Sequence, residues 1–161
     1  MKTETFRKEL ALTDYVRDFR DAERFLVLCR QCPRYGRAKG CPPFADGEVE
    51  GVLSRCRRVE ITVTRITLPA DAYLTYREAH ALTAPVRREV LDRLVARAEA
   101  HAGHVLGFGG AMDPAQQRPS LEAYGFDISR TLAELFGLEL LWSPDGEAAP
   151  PVLTYVAAIL F

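Results

Sequence analysis

The run Val152-Leu-Thr-Tyr-Val-Ala-Ala-Ile-Leu-Phe161 limits what this chain can fold into more than any other stretch. It is apolar at nearly every position, yet far short of the roughly 18 apolar residues that span a membrane. Side chains alternate between the two faces of a strand. A strand apolar on both faces is at home only in the middle of a sheet that is covered on each side. The rest of the sequence must therefore supply neighbouring strands and two covering layers.

The clearest neighbour is Arg58 to Leu68, where Val59, Ile61 and Val63 alternate with polar residues in a β-branched context. Val105 to Ala111 reads as a glycine-rich strand end, and Leu138–Trp142 as a further strand. Asp14–Phe19 reads as a short strand or a turn into a helix. Asp21 is placed to cap a helix in which Ala22, Phe25, Leu26, Cys29 and Cys32 recur at helical spacing until Pro33 ends it. A buried strand through Arg24–Cys29 is the competing reading. Asp46 is expected to cap a short helix through Val49, Val52 and Leu53. A long helix is expected over Thr75 to Ala102, with Pro85 dividing it or starting its second part. Asp127 is expected to cap a helix closed by Gly137. This alternation predicts one α/β or α+β domain over residues 1–161, with a mixed sheet of about four to five strands packed by helices.

Composition narrows the function. The chain has 161 residues, the size of one domain, and 48% of them are apolar, enough for an ordinary core. With 21 basic and 22 acidic residues there is no cationic excess of the kind nucleic-acid binding needs. No stretch reads as a membrane span or a signal peptide, so no nucleic-acid and no membrane partner is expected and the expected location is cytoplasmic. In a reducing cytosol, the four cysteines are free thiols or metal ligands rather than disulfides.

Three of the four lie together in Cys29-Arg-Gln-Cys32-Pro-Arg-Tyr-Gly-Arg-Ala-Lys-Gly-Cys41-Pro-Pro. A C-x2-C pair turns two sulfurs to one side, and a third cysteine after a glycine-containing loop can complete a triangle. Thiolates suit zinc, copper(I) or iron–sulfur clusters, and a proline directly after a ligand cysteine also occurs in the ferredoxin pattern. Arg30, Arg34, Arg37 and Lys39 surround the thiols without an acid between them and are expected to depress their pKa. A closed site wants four ligands, and Cys56 is the remaining cysteine. It is either the fourth ligand or a buried apolar side chain. His80, His101 and His104 are too scattered to assign. A thioredoxin-like dithiol fits less well, because the pair falls near a helix C-terminus, where the dipole disfavours a thiolate.

Gly107-Phe-Gly-Gly110 lacks the lysine and hydroxyl of a P-loop and is read as a turn or a close backbone approach. Arg118-Pro-Ser-Leu-Glu-Ala-Tyr-Gly-Phe-Asp127 is read as an ordered loop that caps the next helix, or as the wall of a pocket with Arg118 as an anion contact. The end Tyr155–Phe161 is read as a core strand, or as an edge available for a dimer contact.

Two of these segments together carry a family likeness. Asp21-Ala-Glu-Arg-Phe-Leu-Val-Leu-Cys29-Arg-Gln-Cys32-Pro-Arg-Tyr-Gly36, with Cys41-Pro-Pro-Phe44, resembles the N-terminal signature of the metal-binding proteins grouped as domain of unknown function number 2284. Arg118 to Ile128, Leu138–Trp142 and the Tyr155–Phe161 end resemble that family's C-terminal half. The likeness spans about residues 15 to 161. It implies a small bacterial or archaeal cytosolic protein with two cysteine groups, the first matching Cys29, Cys32 and Cys41. Where the family has its second group, this chain reads Gly109-Gly-Ala-Met-Asp-Pro-Ala-Gln-Gln117, without a cysteine. Lys39 and Gly40 stand where a tryptophan and a serine often precede the Cys-Pro-Pro.

The resulting expectation is a metal- or iron–sulfur-binding protein, structural or electron-transferring, with Cys29, Cys32, Cys41 and Cys56 as candidate ligands. The group held would be zinc or an iron–sulfur cluster, with a redox partner protein in the latter case. The alternatives are a metal-dependent enzyme with an open coordination position, or a metal-free interaction module, for instance a homodimer, that has lost its site.

Overall fold

A computed structural model describes all residues, 1–161. The chain runs β1 (Lys2–Ala11), α1 (Leu12–Phe19), α2 (Ala22–Arg30), α3 (Glu48–Arg55), β2 (Arg58–Thr67), α4 (Tyr76–Leu82), α5 (Ala84–Glu99), β3 (His104–Leu106), α6 (Ile128–Thr131) and β4 (Val152–Leu160). The four strands form one sheet in the order β1-β2-β4-β3. Every pairing is antiparallel, so the domain is α+β and its sheet is not mixed as expected. No helix is long and apolar enough to cross a membrane.

The apolar run takes the inner place that its sequence demands. On one face of β4, Val156, Ala158 and Leu160 join Val59, Ile61 and Val63 of β2 under α1, α3 and the 121–132 segment, around Tyr15 and Phe126. On the other face, Ala157 and Ile159 meet Leu91, Leu94 and Ala98 of α5, and Leu153 and Tyr155 meet Ile66 and Ala79. Burial of this kind contributes on the order of 25 cal/mol per Å2 of apolar surface removed from water. β4 lies between β2 and β3, but β3 pairs only with Ala158, Ile159 and Leu160, so residues 152–157 have a strand on the β2 side alone.

Several local expectations differ in detail. Asp14–Phe19 belongs to a helix, α1. Asp21 caps α2 through Arg24 N–H, and Asp127 caps α6 through Arg130 N–H. Gly47, at φ 74°, rather than Asp46, begins α3, while the Glu48 carboxylate accepts from Ala45 N–H. The long helix is broken at Thr83 into α4 and α5, with Pro85 in the first turn of α5, where its missing N–H is tolerated. Leu138–Trp142 forms no strand. Leu138 and Leu140 pack on the main core, but the segment pairs with no strand. The N-terminal strand β1 was not anticipated.

One polar group sits deep between α4, α5 and β4. The Arg87 guanidinium, 5% exposed, donates from Nη1 to Thr83 Oγ1 (3.0 Å) and Tyr155 Oη (2.9 Å). Tyr155 Oη also lies 3.2 Å from His80 Nδ1. Burial, then the charge of Arg87, pushes the pKa of His80 down from 6.5 to about 4. Unfolding releases the imidazole to its ordinary value. The unfolded chain then binds more protons as the pH falls from about 6.5 to about 4, and stability declines through that window. Thermal melts across it should show a shallower decline for His80→Gln than for the parent. Equal slopes would place the acid sensitivity elsewhere.

Candidate functional site

The cysteine segment begins on α2, a helix with no buried residue. What holds α2 is its N-terminus. Asp21 N–H donates to Gly125 O (2.8 Å), and Gly125, at φ 89°, lets Ala22 come so close that a Cβ there would stand 2.7 Å from Ala22 Cα. The axis of α2 is thereby fixed against the 121–126 segment, and its last turn carries Cys29. The helix ends at Arg30, so Cys32 is not on it. Cys32 N–H donates to Cys29 O (3.0 Å), which keeps the pair three residues apart in one tight turn.

The chain then folds through successive turns: Tyr35 N–H to Cys32 O (3.1 Å), Ala38 N–H to Arg34 O (3.1 Å) and Cys41 N–H to Ala38 O (3.0 Å). Gly36 N–H to Pro42 O (2.8 Å) straps the two limbs together. The segment is also locked against Gly109–Arg118. Gly40 is buried there, and a Cβ on it would fall 2.7 Å from Arg118 O. A Cβ on Gly110 would meet Arg34 Cδ at 2.5 Å. Gly110 is thus a glycine of close approach, and the approach is to the cysteine loop, while Gly109 takes a positive φ of 56°.

Cys29 and Cys32 share one tight turn, and Cys41 lies on the limb that the Gly36–Pro42 bond folds back on the loop. Burial pushes the Cys29 thiol up, and the charges of Cys41, Cys32 and then Glu122 push it further in the same direction. The expected depression by the flanking cations is not what Cys29 experiences; burial and like charges outweigh them. Cys32 is exposed, while Cys29 and Cys41 are part-buried. As the side chains stand, no three His, Cys, Asp or Glu groups converge to hold a metal ion.

Cys56 follows the last residue of α3 and packs against the main core. Its thiol is pushed up by burial and drawn back by Arg55, without influence from the other cysteines. The histidines lie elsewhere: His80 on Tyr155, His101 stacked on Phe161, and His104 with Nε2 3.1 Å from Tyr124 Oη.

Sequence reasoning placed Glu122 in the 118–127 segment, read as a capping loop or a pocket wall, and did not relate it to the cysteines. Its carboxyl is pushed up by desolvation, with the Ser120 hydroxyl and its own backbone pulling the other way, and it acts on Cys29 across the loop. Spacing carries no such signal, because Glu122 is remote in sequence and is brought in only by the docking of α2. Arg118, in contrast, does line a cleft, as its pocket-wall reading anticipated. The cleft is about 480 Å3, and Lys39 of the cysteine loop stands on its rim with Arg118.

The interlock gives a direct test. Gly40→Ala places a methyl against a backbone carbonyl that cannot swing aside, and should lower stability by about 1–3 kcal/mol. Gly110→Ala meets a side chain that can move and should be milder; the order is read from denaturant midpoints of the two variants. Against known proteins, the chain matches no family model, no curated protein and no solved structure.

Proposed function

We propose that the chain binds a thiophilic metal, zinc or an iron–sulfur cluster, through Cys29, Cys32 and Cys41. What supports this is the backbone of the loop: Cys29 and Cys32 share one tight turn, Cys32 N–H to Cys29 O at 3.0 Å, and the bond from Gly36 N–H to Pro42 O folds the limb that carries Cys41 back on that loop. Soft sulfur donors suit these groups by chemistry. The likeness of the cysteine segment to the metal-binding family points the same way.

The residues have definite parts. α2 presents Cys29, and the turn after it presents the exposed Cys32. The Gly36–Pro42 strap folds the limb that carries Cys41 back on the loop. Cys56 packs against the main core and is set apart from the other three thiols. Since the side chains do not already converge, binding draws the loop closed, and metal affinity becomes stability of the loop. A bound cluster would supply one-electron transfer, and bound zinc a structural tie or a Lewis acid.

Elemental analysis and an absorption spectrum of anaerobically purified protein identify the group. Replacing Cys29, Cys32 and Cys41 together by Ser should abolish bound metal and lower the melting temperature, whereas Cys56→Ser should leave the metal content intact. Unchanged metal in the triple variant would overturn the reading. A parent protein with no metal and four titratable thiols would favour the interaction module instead, in keeping with side chains that do not converge.

A further inference from the structure

β4 keeps one open edge, and the pairing fixes where it lies. Arg58 and Phe161 exchange both backbone bonds (2.7 and 3.0 Å). The register carries that pattern to Glu60–Ile159, Thr62–Ala157, Thr64–Tyr155 and Ile66–Leu153. The odd-numbered residues of β4 therefore bond to β2, and the even-numbered ones turn their N–H and C=O to the other side. There Leu160 and Ala158 meet His104 and Leu106 of β3. β3 then stops. Phe108 turns out of line at φ −110° and ψ 21°, and its carbonyl accepts from Ala111 N–H (3.2 Å).

Val152, Thr154 and Val156 are left without a strand beside them. No backbone group of another segment bonds to theirs on that side. Backbone donors and acceptors that no protein group meets need water, and Val152 and Thr154 are part-exposed. A donor and an acceptor at every second residue of an extended chain are matched by a second extended chain.

The side chains narrow the occupant. Thr154 stands directly across from Arg65 of β2, so the two share a face of the sheet. Arg65 is part-buried and takes part in no ion pair. Glu4, its neighbour on the β1 side, pairs instead with Lys2 (3.0 Å). A residue paired with Thr154 from the open side would lie two strand spacings, about 10 Å, from Arg65 on that same face. That is within the joint reach of an arginine and a glutamate. The residues on either side of it would fall on the opposite face, beside the small core of Leu153, Tyr155 and Ile66. A second copy paired about a twofold axis at Thr154 would bring a threonine to that place and no carboxylate. We propose that this edge takes up an extended, acidic segment of a partner protein as a fifth strand, antiparallel to β4. The segment carries a glutamate or aspartate opposite Thr154 and apolar residues on each side of it. The thiols have no part in this, and it stands or falls separately from metal binding.

The test uses the whole chain, followed by amide hydrogen exchange and chemical shifts. In the free protein the amides of Val152, Thr154 and Val156 should exchange about tenfold faster, or more, than those of Leu153, Tyr155 and Ala157. The probe is the peptide acetyl-Thr-Val-Glu-Val-Thr-amide. It should give saturable shifts centred on residues 152–156 and slow the three fast amides. N-methylation of its glutamate, whose N–H faces the Thr154 carbonyl, should weaken binding by about tenfold or more. N-methylation of a valine, whose N–H faces away, should change it by less than about threefold. Lysine in place of the peptide's glutamate should weaken binding by about fivefold, and Arg65→Gln should remove that preference. The two methylated peptides are compared on the parent protein, so that result holds even if the variant fails to fold. No saturable binding, shifts centred elsewhere, or equal effects of the two methylations would each overturn the proposal. Slow exchange at residues 152, 154 and 156 of the free protein that quickens on dilution would assign the edge to a second copy and overturn it as well.

Discussion

The burial of β4 on both faces is the constraint on which the molecule rests. An inner strand needs a neighbour on each side and a layer above and below. β2 and β3 supply the neighbours; α1 and α3 cover one face, and α4 and α5 the other. The Gly109–Arg118 segment departs from the end of β3, so its position is set by the pairing of β3 with β4. The cysteine loop is then positioned against that segment by Gly40 and Gly110. The thiols therefore inherit their place from a strand more than a hundred residues away in sequence, through a chain of contacts in which glycines permit the closest steps.

What the sequence disclosed follows from how local each signal is. The double-faced run at 152–160, the alternation at 58–67, and the caps at Asp21, Asp127 and Gly137 are properties of a few consecutive residues, and each has its expected role. β1 escaped because it is an edge strand whose side chains are mostly exposed; Lys-Thr-Glu-Thr-Phe-Arg-Lys-Glu has no apolar alternation to detect. Leu138–Trp142 has the alternation of a strand but no partner, and partnering is a tertiary fact. The break at Thr83 was foreshadowed by Pro85, though the capping box of Thr75 with Glu78 fixes only where α4 starts.

The site was legible in the same uneven way. The clustering of Cys29, Cys32 and Cys41 in the chain is written in their spacing, and the structure adds the turns that fold the loop between them, while their side chains do not converge on one point. Cys56 was a candidate by elimination only, and core packing accounts for it. That Glu122 would act on Cys29 could not be read from the sequence, because only the docking of α2 on the 121–125 segment relates the two.

The outer edge of the sheet carries a consequence of its own. β1 offers ten residues of strand, paired on one side only with β2. An open edge of that length is a template for adding another chain. Here it bears Lys2, Glu4, Arg7, Lys8 and Glu9; Leu10 at its end packs on the core, Phe6 is the one exposed large apolar side chain, and most of the strand's side chains stand in water. A second copy aligning along it would have to strip water from that row of mixed charges for little apolar gain. The longest exposed strand of this protein is thus its least adhesive one, and the molecule can present an unfinished sheet to a crowded solution without polymerising through it.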